Sequence, residues 1–534
     1  MRFINSITTI ALATISTLLL SPQTTTAQLS ELLSSNSSQY NFHLPTAKLF
    51  IDNNTLVQVE NVAYPLIQSQ LSILGSVTIP AQTISQLGNT ITLSNITVAN
   101  TTIPRNSLLL QLNPANNSIT ASLNDIGVIL NAAYAVSGSL LGSGSGTGVF
   151  DITGTSVNVP IVFDPTVYGY PNITVGTVSS SIGNINAQFS GSDASLLDSL
   201  IGSLGSTVSS SISNGLNSAI QPLINSVVDS YVSSFNLLQR NTTLLNGYTL
   251  FNNSLNATGI DTYVGLISGA DAYGIKINDN YIEVQSALQF LPNQTYVSND
   301  ATHHTIEDTP PYNNTRLISA AIDDYLVNSL LYTLAESNAV SITLTQAQAP
   351  PQYAQYLNTA LIGQFVPGLT KAYPNNNVSA LIQPLAASPP TASWAETNTT
   401  TFNIPLNVTL NAVASNGSNP LVSYNLTLIG AVTNITIDNT AVNGTSTLSI
   451  TGDLSTITGT LSLLHQQYDF STLTQLLPGA LPTLIQAELQ PLLNQYLQKG
   501  YALPSMSYVE FNNSVISIGS GIANIATDFN ILKL

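Results

Sequence analysis

Apolar and polar positions divide the chain into two halves of similar layout. In each half, runs that alternate apolar and polar residues predict an antiparallel sheet, and a long apolar stripe at helical spacing follows them. The stripes lie in 193–231 and 473–496, and a five-residue word recurs late in each, as Gln221 to Asn225 and, with one change, as Gln490 to Asn494. The sequence therefore predicts one unit used twice, with a long amphipathic helix lying on each sheet.

Three interruptions of the apolar pattern in the first half lead to further predictions. Apolar spacing predicts a helix from Asn53 to a stop at Gly75, with Pro65 indicating a kink or a later start. The alternation slips by one residue within 93–96, which predicts a β-bulge. The glycine-rich stretch 142–148 lacks the Lys-Ser/Thr of a phosphate loop, so we interpret it as a flexible hairpin loop.

The second half begins after a polar connection. Residues 318–334 place apolar side chains on one helical face, and alternating runs at 426–428, 435–437, 448–450 and 457–463 predict strands. The connection contains His303-His304, and neighbouring side chains are expected to point apart in a solvated linker. We therefore predict that these histidines form no metal site. The sequence also predicts no cofactor and no catalytic residue.

The composition changes this picture in one respect. Only 7% of the 534 residues are charged while 43% are hydrophobic, so the surface polarity must come from Ser, Thr, Asn, Gln and attached sugars. Such a balance suits a protein that keeps apolar surface for a ligand. The chain has no cysteine, which excludes thiol catalysis, zinc–thiolate sites, iron–sulfur clusters and disulfides.

The charge excludes one class of partner. The net charge is −17 and the nine Lys and Arg residues never cluster, so the sequence provides no basic stripe. Nucleic acid is therefore not an expected partner, and no oligomeric state is predicted.

The N-terminus has the features of a secretory signal peptide. Arg2 precedes a short apolar stretch, Ile10 to Leu20, and Thr25-Thr26-Ala27 offers a cleavage site. We expect a secreted, extracellular chain without a lipid-anchor signal. Asn-x-Ser/Thr acceptors agree with that compartment, and a nine-residue spacing in part of the set indicates one site per strand or hairpin. The candidate glycosylation sites are Asn95, Asn172, Asn241, Asn398, Asn407, Asn416, Asn425, Asn434, Asn443 and Asn512.

Short motifs in the second half resemble a known family. The run Gln498 to Pro504, followed by Val509 to Asn512 and Thr527-Asp528-Phe529, resembles the C-terminal end of the bactericidal/permeability-increasing, lipopolysaccharide-binding and cholesteryl-ester-transfer proteins. The segments 322–326 and 372–375 are similar to parts of the same domain.

This resemblance implies an α+β fold shaped as an elongated boomerang. Each half would be a highly twisted antiparallel sheet wrapped around long helices, with a central sheet joining the halves and an apolar groove for acyl chains in each. The implied organisation is a signal peptide (1–27), a first lipid-binding domain (28–295), a linker (296–315) and a second lipid-binding domain (316–534). The family's usual disulfide is missing, and so is the cationic patch with which some members bind lipopolysaccharide.

Three functions remain open. The first is lipid binding or transfer, with a phospholipid or another acyl lipid as cargo and transient contact with a membrane or lipoprotein surface. The second is a ligand-free glycoprotein adhesin or coat component. The third, a lipid esterase, is disfavoured because the chain has four histidines and no Gly-x-Ser-x-Gly motif, and the acidic charge disfavours lipopolysaccharide binding in host defence. The candidate lipid-binding residues, taken from the helical stripes, are Val59, Ala63, Leu66, Leu200, Leu204, Val208, Leu216, Ile220, Ile322, Tyr325, Leu484 and Leu492.

Overall fold

A computed structural model describes most of the chain from residue 44 onward. The described residues are 44–69, 81–86, 88–138, 142–167, 169–191, 194, 197, 209–210, 213, 238–250, 253–267, 273–292, 303–337, 341–349, 351–385, 387–396, 398–414, 417–442, 445–502, 506–507 and 509–531. The predicted signal peptide and most of the stripe 193–231 lie outside them.

The described elements of the first half are mostly strands. In chain order they are β1 (Ala47–Asp52), α1 (Asn53–Ser69), β2 (Gln82–Gln86), β3 (Asn89–Thr102), β4 (Leu108–Asn113), β5 (Ser118–Gly138), β6 (Gly142–Val167), β7 (Tyr170–Val175), β8 (Ser179–Ser181), β9 (Asn184–Gly191), β10 (Leu238–Leu250), β11 (Asn253–Leu266), β12 (Ile275–Ile277) and β13 (Tyr281–Pro292).

The second half adds six helices and eleven strands among the described residues. In chain order they are β14 (Ile318–Asp323), α2 (Asp324–Glu336), β15 (Ile342–Leu344), α3 (Pro351–Ala354), α4 (Thr359–Ile362), α5 (Leu369–Ala372), β16 (Asn377–Pro384), β17 (Thr391–Glu396), β18 (Thr399–Ala414), β19 (Gly417–Val442), β20 (Thr445–Gln466), α6 (Ser471–Leu484), a π-helical turn (Ile485–Leu489), α7 (Gln490–Lys499), β21 (Tyr501–Ala502), β22 (Met506–Ser507), β23 (Val509–Gly519) and β24 (Ile522–Ile531).

The first sheet is an antiparallel meander of β2 to β9. Its path runs β2-β3-β5-β6-β7, with β4 beside β5 and with β8 and β9 beside β6. The pairing of β3 with β5 shifts register between Ser94 and Thr97, and Asn95 has φ of 51°. The β-bulge predicted from the slipped alternation is therefore confirmed.

The glycine-rich stretch 142–148 is part of a strand, so its interpretation as a loop is wrong. Its residues pair with β5, from Gly142 opposite Gly138 to Gly148 opposite Ala132. A Cβ at Gly146 would lie 2.0 Å from the Ser190 carbonyl oxygen, and one at Gly148 would lie 2.9 Å from the ring of Phe189. The glycines thus let β9 and an aromatic ring approach β6 closely, which is a common role of glycine in strands.

Helix α1 starts early, because Asp52 ends β1 and caps the helix. The Asp52 Oδ1 atom accepts a hydrogen bond from the backbone N–H of Asn54 at 2.8 Å. Pro65 lies inside the helix, so the later start that was considered for this segment is wrong. Val59 and Leu56 are buried in a core that α1 shares with the first sheet.

The second sheet follows the path β15-β16-β18-β19-β20-β21, with β17 beside β18 and β22 beside β20. The predicted strands at 426–428 and 435–437 belong to one strand, β19, and those at 448–450 and 457–463 belong to β20. The strands are longer than expected because apolar alternation continues through bulges, where β19 and β20 shift register.

A central sheet combines both halves in the order β10-β11-β13-β1-β14-β24-β23. Strand β1 lies between β13 of the first half and β14 of the second, antiparallel to both. The helix predicted to begin at Ile318 is therefore wrong in its first six residues. They form β14 instead, because a position in mid-sheet buries Ile318 and Ala321, and the helix begins only at Asp324.

The predicted α+β fold class is confirmed. Two long antiparallel sheets, each with its own apolar cores, are joined by a central sheet to which both halves contribute. In the second half, the predicted closing helix is present as α6, the π-helical turn and α7.

Candidate functional site

The second sheet and its closing helix enclose an apolar groove of about 800 Å³. The floor follows the strand period of two, because alternate residues of β15, β16, β18 and β19 face inward. The intervening side chains, such as Asn403 and Ile429, point to the outer face and are exposed. The floor residues are Ile342, Leu344, Ile382, Pro384, Ile404, Leu406, Leu410, Leu426 and Leu428.

The roof is formed by the closing helix and the short helices α3 and α4. Helical spacing of three and four brings apolar residues of α6, the π-turn and α7 to one face. These roof residues, which are apolar except for Glu488, are Leu473, Leu477, Ala480, Leu481, Leu484, Ile485, Glu488, Leu489 and Leu493. The remaining lining residues are Ala349, Tyr353, Tyr356, Leu357, Leu361, Ile362 and Phe365.

The closing helix departs from regular α-geometry above the groove. Pro478 and Pro482 lie inside α6 and cannot donate to carbonyls one turn earlier. The π-turn then begins at Ile485, which is 3% exposed and packs onto the sheet opposite Gly459. A Cβ at Gly459 would lie 2.4 Å from Ile485 Cδ1, so the absence of a side chain there lets the helix approach the sheet.

The groove opens to solvent along one rim. Tyr356, Phe365 and Leu484 line the cavity and are still 54%, 41% and 43% exposed. Large apolar side chains that stay exposed beside a cavity are typical of a ligand-binding groove. A volume of 300–1,000 Å³ is the usual size of small-molecule pockets, so the groove is large enough for an extended apolar ligand.

One polar pair interrupts the apolar lining. The hydroxyl of Tyr353 donates a hydrogen bond to Glu488 Oε1 at 3.2 Å, which joins α3 to the π-turn. Burial and the negative charge of Glu488 raise the pKa of Tyr353, so the phenol remains a donor at neutral pH. Among the described lining residues, no Lys, Arg or His faces the groove.

The structure separates the candidate lipid-binding residues into three groups. Leu484 lines the groove, whereas Leu492 is half-buried on α7 next to the lining residue Leu493. Val59 and Ile322 pack into cores, and Tyr325 is buried against Gln289 and His303. The side chains of Ala63, Leu66, Leu200, Leu204, Val208, Leu216 and Ile220 lie outside the described residues.

Sequence reasoning missed most of the groove floor and the polar pair. Alternation identified β19 but not the other floor strands β15, β16 and β18, and it did not show which face of β19 turns toward the helix. Glu488 lies in the predicted helical segment, beside the stripe, and its contact with Tyr353 spans 135 residues. The only local signal was a carboxylate within an otherwise uncharged helical segment, 473–496.

A second, polar cavity of about 540 Å³ lies beside α1 in the first half. Glu60 lines it and accepts a hydrogen bond from the Leu110 backbone N–H at 2.6 Å. Burial raises the pKa of Glu60, and that hydrogen bond partly offsets the effect. The cavity also contains Asn53, Gln111 and Asp279, so its lining does not match an apolar ligand.

The candidate glycosylation sites differ in backbone conformation and in exposure. Asn95, Asn398 and Asn434 have φ between 50° and 52°, a left-handed conformation that asparagine tolerates better than most residues. The nine-residue spacing does not mark one site per strand, since Asn425 and Asn434 both lie on β19. Asn95 and Asn434 are exposed, Asn172, Asn398, Asn407, Asn425 and Asn512 are half-buried, and the side chains of Asn241, Asn416 and Asn443 lie outside the described residues.

The two adjacent histidines do not point apart as expected. Both rings face Asp323, with His303 Nδ1 at 3.5 Å from Asp323 Oδ2 and His304 Nδ1 at 3.2 Å from Asp323 Oδ1. His304 Nδ1 also lies 3.3 Å from Asp324 Oδ1. We call these four residues the histidine–aspartate cluster, and its convergence follows from the turn of β14 into α2.

Three cluster residues, His304, Asp323 and Asp324, bring possible metal ligands within 4.8 Å of one another. Hydrogen bonds already occupy both carboxylates, because Asp323 accepts from the backbone N–H groups of Tyr325 and His304, and Asp324 accepts from that of Trp394. The positive end of α2 also favours carboxylates and disfavours a cation. We therefore assign the cluster a structural role in capping α2 and attaching the 303–310 segment to it.

The two carboxyl groups of the cluster are expected to affect stability in opposite directions. Burial alone would raise the pKa of Asp323, but the nearby His303 ring and the hydrogen bonds from Tyr325 and His304 outweigh it and lower that pKa. Asp323→Asn should therefore destabilise the protein by about 1–3 kcal/mol at neutral pH. The difference should fade as the pH falls below about 4, because the lowered pKa stabilises the fold only above the unfolded value.

Asp324→Asn provides the matched control for this prediction. Burial raises the pKa of Asp324, so its ionisation above about pH 4 reduces stability, and the amide should leave stability unchanged or increase it at neutral pH. Urea unfolding of both variants between pH 3 and pH 8 measures the two profiles. Equal losses in both variants would contradict the opposite roles of the two residues.

A buried ion pair lies in the central sheet. Lys48 on β1 is 3% exposed, and its Nζ lies 3.3 Å from Oε1 of Glu283 on β13, which is 0% exposed. Lys48 also contacts Asp308, and the Tyr281 hydroxyl donates to the Asp308 carbonyl oxygen at 2.8 Å. The hydrogen bond from Lys48 lowers the pKa of Asp308. These contacts attach the 303–310 segment to the central sheet from the first-half side.

The second half thus combines a long antiparallel sheet, a closing helix and an apolar cavity, which is an arrangement suited to a hydrophobic ligand. The sequence model described as "LBP / BPI / CETP family, C-terminal domain" matches residues 275–531, a range that contains the groove. Residues 275–531 therefore match the C-terminal domain of the LBP/BPI/CETP family, and the resemblance noted in the motifs of this half is confirmed.

Individual relatives are distant. The chain is similar to bactericidal permeability-increasing protein from Rattus norvegicus, with 23% identity over 205 residues, which are 38% of this chain and 40% of the relative. Identity to the protein of the same name from Sebastes schlegelii is 25% over 221 residues, which are 41% and 43% of the two chains. The alignments thus span about two fifths of the curated relatives.

Among solved structures, the chain is similar to a crystal structure of lipopolysaccharide binding protein. The TM-score is 0.47 at 16% identity, with 92% of this chain and 100% of that chain covered.

Among the described residues, no helix is long and apolar enough to cross a membrane.

Proposed function

We propose that the protein is a secreted lipid-binding and lipid-transfer protein that holds acyl chains in apolar grooves. The observation that carries this proposal is the 800 Å³ groove, whose lining is apolar except at the Tyr353–Glu488 pair. Membership of the LBP/BPI/CETP family supports it, because lipid binding is common to that family. No acid, base or nucleophile is required, so we propose a carrier and not an enzyme.

The physical basis is the transfer of methylene groups from water. Each buried methylene contributes about 0.8 kcal/mol, so a chain of about sixteen would gain roughly 13 kcal/mol in a dry groove. A bilayer offers the same chain a similar gain. Exchange between a membrane and the groove can therefore be close to balance, which is what transfer requires.

Several finer features belong to the same proposal. Secretion after removal of residues 1–27, glycosylation, the 28–295 and 316–534 domains and transient contact with a membrane or lipoprotein surface rest on the sequence patterns described above. A phospholipid-like cargo follows from the family, while the acidic charge and the absence of basic side chains among the described lining residues argue against lipopolysaccharide.

Native mass spectrometry of the secreted, deglycosylated protein tests the proposal, together with lipid analysis of an organic extract. We expect one or two lipids per chain to co-purify. A clean ligand-free mass, in a protein that also refuses added phospholipid, would contradict lipid carriage and favour the adhesin alternative.

A further inference from the structure

Glu488 is the only charged side chain among the described residues that line the groove. It lies in the π-turn, three residues after Ile485, which packs onto the sheet, and next to Leu489, which lines the groove. Its side chain is half-buried and contacts Tyr353. Single π-helical turns inside α-helices occur frequently at functional sites.

A carboxylate on an apolar surface must be compensated by donors. A carboxylate has about four acceptor sites, and the Tyr353 hydroxyl is one of the partners of Glu488. Glu488 can therefore accept a hydrogen bond from the polar head of a ligand beside Tyr353. The paired tyrosine holds the carboxylate at the groove, so its position does not depend on the ligand.

The charge at this point discriminates between lipid heads. A phosphate or carboxylate head beside Glu488 would meet a like charge, and no Lys, Arg or His among the described lining residues offsets it. A hydroxyl donates to the carboxylate, and an ammonium adds charge attraction to the hydrogen bond.

We propose that Glu488, positioned by Tyr353, selects lipids whose head donates hydrogen bonds and carries no net negative charge. The proposal rests on the proposed lipid-binding function and specifies its cargo. The expected cargo is a long-chain alcohol, amine or zwitterion, with its chain in the groove and its head at the Tyr353–Glu488 pair.

Three probes with the same chain and different heads test the proposal. Oleylamine, oleyl alcohol and oleyl phosphate are titrated into full-length protein at pH 7.4, with displacement of an environment-sensitive fluorescent fatty probe as the readout. We expect oleyl phosphate to bind at least about tenfold more weakly than oleylamine, with oleyl alcohol between them.

Two variants assign the selectivity to the pair. Glu488→Gln should bring the affinities for oleylamine and oleyl phosphate to within about threefold of each other, because the amide keeps the shape and removes the charge. Tyr353→Phe should weaken the rejection of oleyl phosphate less than Glu488→Gln does, because it removes the hydroxyl that positions the carboxylate but leaves the charge. Glu336→Gln, at an exposed position on α2 away from the groove lining, is the charge-matched control and should behave like the wild type.

The outcomes separate the two proposals. If none of the probes binds the wild type, both lipid carriage and its selectivity fail. If all three bind with equal affinity, if oleyl phosphate binds best, or if Glu488→Gln leaves the order unchanged, lipid carriage stands and the role of Glu488 is overturned.

Discussion

Replacing Leu406 and Leu426 together with tryptophan is expected to remove most of the lipid from the second-half groove. The two residues lie directly opposite each other on β18 and β19 and both line the cavity. Two indole rings on the floor would occupy the space between sheet and helix, which is about 10 Å for packed layers. Excluding even two methylenes costs about 1.6 kcal/mol, so affinity should fall at least about tenfold.

The matched control for this variant uses the other face of the same strands. Asn403 and Ile429 are also directly opposite on β18 and β19 but are exposed on the outer surface. Asn403→Trp with Ile429→Trp should leave the lipid content unchanged. Both proteins are compared by extraction and native mass spectrometry after circular dichroism has verified folding. A normal lipid load in the groove variant would place the cargo elsewhere.

Replacing Lys48 with methionine is expected to have the largest effect on stability. It would leave Glu283 buried in the central sheet without its cation, and breaking a buried pair on one side typically costs about 3–5 kcal/mol. Asp308, whose side chain is 69% exposed, would contribute little to this loss. Urea unfolding at pH 7, followed by circular dichroism, measures the change.

A double variant distinguishes the lost pair from a packing defect. Lys48→Met with Glu283→Leu replaces both charges by apolar groups of similar size, which is often neutral or stabilising. We expect it to recover most of the stability lost in the single variant. If the double variant is as unstable as Lys48→Met, the loss comes from packing around β1 and not from the uncompensated carboxylate.

Local periodicity was informative because helices and strands each place their apolar residues at a characteristic spacing. Alternation identified β19 and β20 of the second sheet, and apolar residues three and four apart identified the closing helix that became α6, the π-turn and α7. The slip near Asn95 was visible because a bulge inserts one residue into an alternating pattern. These features depend on neighbours within a few residues, so they can be read from the sequence.

The same periodicity failed where two structures satisfy one pattern. Residues 318–323 are apolar enough for either a helix or a buried strand, and pairing with β1 and β24 decided for the strand. The glycines of 142–148 fit a loop as well as a strand. Their place in β6 depends on Phe189 and Ser190, which approach from β9.

The sequence by itself determined the α+β class, the closing helix of the second half and the resemblance to the LBP/BPI/CETP family, because these follow from periodicity and short motifs. Tertiary structure alone decided which apolar residues line a cavity and which fill a core, as Leu484 differs from Val59 although both lie on helical stripes. It also brought Lys48 to Glu283 and the histidines to Asp323. The physical reason is that a side chain's chemistry is local, whereas its environment is set by strand pairing and helix packing across hundreds of residues.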